Sequence, residues 1–205
     1  MIYIYGDSHA NHFFKNLNLP HANYHQSSIT MFRIGRDNNI INFNNKQHNL
    51  SSVICLAYGE VDCRCHIQRQ INLGRDEDEV IHELVDKYFK TIKNNVINYK
   101  KVIIIGVIPP TMQSDYESLH GPILHEFPFI GTDAERVRYT KKVNKRLEEN
   151  CIIYNYVYFN PLYYYTRADG TLKYELSDSI VHLGDNSVFL EMFTELYNRD
   201  FLHVT

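Results

Sequence analysis

"MIYIYGDSHANHFFKNL" (residues 1–17) decides the fold. Its opening residues are apolar, β-branched or aromatic, the composition of a short buried strand. Gly6 and Asp7 interrupt that run, and Phe13, Phe14 and Leu17 then fall toward one face of a helix. The chain therefore passes from strand to turn to helix at once, with Ser8 near the N-cap of the helix. Unpaired backbone N–H groups gather there and favour negative charge. Ser8 has two readings at this point: an ordinary cap, which serine favours on its own account, or a nucleophile placed where an oxyanion would be stabilised.

Working outward, "SSVICLAYG" (51–59) reads as a second buried strand and "KVIIIGVIPP" (101–110) as a third, stopped by its prolines. Between them lies the strongest helical pattern of the chain, about 76–99. Val80, Ile81, Leu84, Val85, Tyr88, Phe89, Ile92 and Val96 recur at helical spacing there, with acids in the first turn and lysines in the later ones. A capping box, Thr132 with Glu135, opens another helix to about Glu149. The run "CIIYNYVYF" (151–159) reads as a further strand, and a last helix covers about 186–198. Strands alternating with helices of this length imply crossover connections and a parallel sheet covered on both faces, an α/β three-layer fold. Ligands of such sheets sit beyond the carboxyl ends of the strands. Ser8, the segment Glu60–Arg64 and the loop 109–131 are all expected at that edge.

The 205 residues, 44% of them hydrophobic, suffice for one sizeable core, and the chain 1–205 reads as a single domain. A formal net charge of −3 gives no electrostatic footprint for a nucleic acid or an anionic membrane surface. The start lacks the three-part pattern of a secretory signal, and apolar runs are too short to span a bilayer, so a soluble, cytoplasmic chain is expected. Four cysteines do not form a disulfide framework and are expected as free thiols. In "CRCH", Cys63, Cys65 and His66 do not match the usual zinc spacings, and no metal or organic cofactor is expected. The tyrosines 163–165 read as a strand or hairpin packed on the sheet. His9, His12, His120 and His125 read as surface or partly buried polar groups, although His9 adjoins Ser8.

Near the C-terminal end stands "ADGTLKYELSDSIVHLGDN" (168–186), which carries Asp178 and His182 just ahead of the last helix. The set of "GDS" after the first strand, "GEVD" after the second and an Asp…His pair before a terminal helix resembles the SGNH (GDSL-type) hydrolases. These blocks lie in order across nearly the whole chain. The resemblance implies a flavodoxin-like α/β/α sandwich, Ser8 as nucleophile and His182 as general base.

Two departures from the family pattern matter. The usual spacing would place the acid at Ser179, so Asp178 is one residue early; a helical turn or an expanded loop would still let it reach the imidazole. Alternatives are a Ser8–His182 dyad or another acid. The third block usually offers an Asn amide to the oxyanion, and here Val61 stands in its place. "YGEVD" resembles the Gly-Glu-x-Asp variant of carbohydrate acetylesterases, which implies an acylated sugar as substrate. Remaining donors are the Ser8 N–H and that of Gly35, which reads equally as a turn glycine, with Arg64 either donating to the oxyanion or bracing Glu60 and Asp62. Those two acids either meet substrate or hold loops. The expected activity is hydrolysis of an acyl, above all acetyl, ester on a glycan or small molecule. An O-acyltransferase using the same residues and an inactive glycan-binding module remain as alternatives. Oligomeric state is not legible.

Overall fold

Strand β1 (Ile2–Gly6) lies inside the sheet: Ile2, Ile4 and Tyr5 are buried, and both of its edges are paired. It lies parallel to β2 (His21–His25) on one side and to β3 (Val53–Ala57) on the other. Further strands are β4 (Lys101–Ile105) and β5 (Val157–Phe159), giving an all-parallel sheet in the order β2-β1-β3-β4-β5. That is the flavodoxin-like order, whose direction of winding reverses between β1 and β3. In this computed structural model, residues 1–26, 28–38, 52–96, 101–123 and 127–201 are described.

The helices cover both faces. On one side α2 (Met31–Asp37), a π-wound turn (Asp62–His66), α3 (Ile67–Asn72), α4 (Glu77–Asn95) and α6 (Asp133–Tyr154) pack over Ile54, Leu56, Val102 and Ile104. On the other, α1 (Ser8–Phe13) and α7 (Ser187–Phe201) pack over Val53, Cys55, Ile103 and Ile105. Alternate strand residues thus feed the two cores, as the period of a strand requires. The second core is aromatic: Phe189 lies 5.0 Å from Phe13, 5.2 Å from Phe14 and 5.4 Å from Phe159, between ring centroids. Helix α5 (Gln113–His120) occupies the loop after β4.

Several expectations need correction at their edges. The run 151–159 is not one strand: α6 continues to Tyr154, Asn155 ends it in the left-handed conformation, and only Val157–Phe159 is extended. Cys151 continues the buried stripe of Val143 and Leu147, whereas Ile152 and Ile153 are exposed, so their apolar character does not report burial. The segment 163–165 is neither strand nor hairpin but a 3₁₀ turn (Leu162–Tyr165), and the buried Tyr165 hydroxyl accepts the Phe189 N–H at 3.0 Å. Helix α4 ends at Asn95, and positions 97–100 of the expected helix lie outside the described residues. All four cysteines are free and buried. Among the described residues no helix is long and apolar enough to cross a membrane.

Candidate active site

The turn from β1 into α1 is tight because Gly6 allows it. A Cβ at Gly6 would stand 2.3 Å from Ala10 Cβ and 2.6 Å from the Ala57 carbonyl oxygen, so no larger residue fits between strand and helix. Asp7, not Ser8, is the N-cap, its carboxylate accepting the His9 N–H at 2.9 Å. Ser8 becomes the first helical residue, half-exposed at the carboxyl end of β1. This is the β1/β3 switch point, where parallel sheets of this order open a crevice.

Ser8 meets the C-terminal segment there. Its hydroxyl lies 2.9 Å from His182 Nε2, and His182 Nδ1 lies 2.7 Å from Asp178 Oδ2. A proton on Nδ1 satisfies the carboxylate and leaves Nε2 to accept from the Ser8 O–H. The other Asp178 oxygen accepts the Ile180 N–H at 2.9 Å and the His182 N–H at 3.1 Å. The four-residue spacing is absorbed by a closed loop: Asp178 N–H donates to the His182 carbonyl at 3.0 Å, and Ser179 takes up the additional residue at φ 67°. Burial alone would push the Asp178 carboxyl up; the hydrogen bond and charge of His182 and the two backbone N–H groups bring it down to about 2.

Glu60, Asp62 and Arg64 lie at the end of β3, all buried. Arg64 Nε donates to Glu60 Oε1 at 2.8 Å, and its Nη1 donates to the Phe127 carbonyl at 2.5 Å. Asp62 accepts the N–H groups of Met31 at 2.8 Å and Phe32 at 3.2 Å, so it holds the N-terminus of α2. Burial, with Asp7 and Glu60 adding to it, raises the Asp62 carboxyl to about 7 against those two donors. Val61 is buried, and its side chain has no donor to offer.

Gly35 is neither a turn glycine nor positioned as an oxyanion donor. It lies inside α2, where its N–H belongs to the helical ladder, and a Cβ there would stand 2.8 Å from Lys87 Cβ of α4. Its smallness serves the close approach of two helices.

The sequence reading missed two histidines of α1. His9 is fully buried, with Nδ1 3.0 Å from Asp7 Oδ1 and Nε2 3.1 Å from the Val181 carbonyl oxygen. Both ring nitrogens face acceptors, so the ring is satisfied as an imidazolium. Burial opposes that charge, but Asp7 and then Glu60, 3.8 Å from Nε2, outweigh it and the pKa is raised. His12 lies over His182 with ring centroids 4.2 Å apart and planes 9° from parallel, and its Nδ1 meets the Leu183 carbonyl at 3.2 Å. Burial and the neighbouring His182 hold His12 below the usual imidazole range. The available signal was the i, i+3 spacing of the pair on the helix that Ser8 begins. His125 lies outside the described residues.

Among the described residues, His12, Asp178 and His182 offer ligand atoms within 4.8 Å of one another. The two rings are stacked, however, so their in-plane lone pairs run side by side instead of converging on an ion. The arrangement suits proton transfer between Ser8 and His182.

No protein-family sequence model and no curated protein matches the chain. Solved structures do. A GDSL-like lipase from Bacteroides thetaiotaomicron superimposes with a TM-score of 0.56 at 13% identity, covering 97% of this chain and 87% of its own. A candidate acylhydrolase from Bacteroides fragilis gives 0.58 at 15% identity, with 98% and 87% covered. The aryl esterase of M. smegmatis gives 0.50 at 13% identity, with 98% and 99% covered. With its parallel five-stranded sheet and helices on both faces, the chain has the three-layer α/β/α fold of the GDSL-type (SGNH) hydrolases.

Proposed function

We propose that this protein, read as one domain, is a serine ester hydrolase that removes acyl groups, acetyl above all, from a carbohydrate. The observation that carries the reading is the hydrogen-bonded series Ser8 Oγ, His182, Asp178 at the switch point of the sheet. The GDSL-type neighbours support ester hydrolysis as the class of reaction. "YGEVD" supports the carbohydrate ester through its resemblance to the Gly-Glu-x-Asp acetylesterases.

In the reaction, His182 Nε2 takes the Ser8 proton while Oγ bonds to the ester carbonyl carbon. The carbonyl π pair moves onto oxygen, giving a tetrahedral oxyanion. Collapse re-forms the carbonyl and expels the alcohol, which takes the proton from His182. Water then repeats the sequence on the acyl-enzyme, and the carboxylic acid and free Ser8 result. Asp178 holds the Nδ1 proton and stabilises the imidazolium that forms twice per turnover. Of the first N–H groups of α1, His9 donates to the Asp7 side chain and Ala10 to the Asp7 carbonyl, so Ser8 N–H remains for the oxyanion.

Labelling with a fluorophosphonate, followed by mapping of the modified residue by mass spectrometry, tests the reading. Ser8 is expected to carry the adduct, and short p-nitrophenyl esters are expected to turn over faster than long ones. No labelling of Ser8 and no turnover would refute it; a product that depends on an added sugar acceptor would assign transfer in place of hydrolysis.

A further inference from the structure

The segment that carries His182 is held by five side chains. The Ser179 carbonyl accepts from His120 at 2.6 Å and from the Tyr174 hydroxyl at 2.5 Å, and the Ile180 carbonyl accepts from Thr111 at 3.3 Å. The carbonyls on either side of His182 itself, those of Val181 and Leu183, go to His9 and His12. These histidines are three apart on α1 and therefore on one face of the helix whose first residue is Ser8. Asn186, just beyond, donates to the carbonyls of His12, Phe13 and Lys15 and closes the C-terminal end of the same helix.

We propose that His9 and His12 are positioning residues that clamp the carbonyls of Val181 and Leu183, one residue before and one after His182, onto α1 and so fix the distance between His182 Nε2 and the Ser8 hydroxyl. Each does so through a ring N–H donated to a backbone carbonyl. His12 also presents its face to the His182 ring, and the His9 ring centroid stands 4.6 Å from it with the planes tilted by 53°, so both rings pack directly against the imidazole. The nucleophile and the base lie 174 residues apart in sequence. A rigid helix bearing both Ser8 and the clamp makes their separation a property of one element instead of two independently moving ones. Misplacing a reacting group by about 1 Å can cost about 10²-fold in rate, which sets the scale of the effect.

This inference rests on the Ser8–His182 reading, and its test separates the two. His9→Ala and His12→Ala are each expected to lower kcat for p-nitrophenyl acetate by about 10²-fold with little change in KM. His12→Asn can return an amide N–H to the place of Nδ1–H, and His9→Gln one to the place of Nε2–H; both are expected to recover most of the loss. Hydrogen exchange gives a readout independent of activity: amides of 178–184 are expected to exchange faster in the alanine variants and near the native rate in His12→Asn and His9→Gln. Folded alanine variants with native kcat, or amide variants as impaired as alanine, would overturn the clamp. If the native protein is not labelled at Ser8 by a fluorophosphonate, the hydrolase reading falls, and the exchange rates alone then decide the clamp. Should an alanine variant not fold, the amide variants decide it.

Discussion

Asp178→Asn should be far more damaging to catalysis than Asp178→Ala, although it is the smaller change. The two carboxylate oxygens have different duties: Oδ1 accepts the N–H groups of Ile180 and His182, and Oδ2 accepts from the His182 ring. An asparagine keeps both backbone bonds by placing its carbonyl oxygen at the Oδ1 position, which sets its NH₂ 2.7 Å from Nδ1. Donor then faces donor, and the ring relieves the conflict by moving its proton to Nε2, where it can no longer accept from Ser8. An inverted tautomer of this kind costs about 10⁴ in kcat, or about 5 kcal/mol of transition-state stabilisation. Alanine imposes no tautomer, and water can meet Nδ1–H, but Ile180 and His182 lose their acceptor at about 1 kcal/mol per bond. The expected order is therefore alanine above asparagine in kcat and asparagine above alanine in Tm. Initial rates on p-nitrophenyl acetate and thermal melts of both folded variants measure it. Because Asp178 stays ionised down to about pH 2, acid loss of activity above that pH should not report its titration. If the asparagine variant hydrolyses faster than the alanine variant, the assignment of Asp178 as the orienting acid is wrong.

Other consequences can be measured alongside. Ser8→Ala and His182→Ala should each abolish nearly all turnover, and the double variant should be no worse, since the two act in one proton transfer; additive losses would refute the pairing. Arg64→Ala should lower Tm together with activity, because the guanidinium is occupied by Glu60 and the Phe127 carbonyl; native Tm with reduced kcat would return it to the oxyanion. Phe189→Ala should cost about 3–5 kcal/mol in urea unfolding, as a fully buried ring among Phe13, Phe14 and Phe159, and a loss under 1 kcal/mol would contradict the packing. His9 has its pKa raised above the ordinary 6.5, so its contribution to stability is full below that pH and fades as pH rises through the folded value. His9→Gln should remove that part of the slope of stability against pH, and an unchanged slope would show that the ring is neutral.

The elements legible in the sequence are those whose burial has a period. Strand β1, the Ser8 turn and α4 declare themselves because strand and helix spacing coincide there with caps and charge. Strand β2, "HANYH", does not, because it lies at the edge of the sheet and is only partly buried, so nothing forces apolar residues into it. The end of α6 misleads for the opposite reason: Ile152 and Ile153 are apolar yet exposed, and a short apolar run does not reveal its period. Asp178 could be named as a candidate but not secured, since reach across four residues depends on Ser179 accepting a left-handed backbone. The role of Gly35 is not legible, because a glycine required by a helix–helix contact looks in sequence like a glycine required by a turn. His9 and His12 were passed over because their partners are backbone carbonyls some 170 residues away, which no local pattern encodes.

The acids after β3 reach the reaction only through what they hold. Glu60 joins Arg64 on one side and faces His9 on the other, and His9 in turn holds the Val181 carbonyl next to the proposed base. Asp62 is turned away from that line and fixes the start of α2. Asp7, Glu60 and Asp62 thus share a buried floor with His9 and Arg64. Removing Arg64 would leave the buried Glu60 carboxylate without its partner, at a cost of about 3–5 kcal/mol. Val61 lies in the middle of this floor with no side-chain donor, and the π-wound turn that begins at Asp62 sends Arg64 back onto Glu60. Glu60, Asp62 and Arg64 are therefore taken up by one another and by α2, and in the proposed hydrolysis the oxyanion is left to the N-terminus of α1.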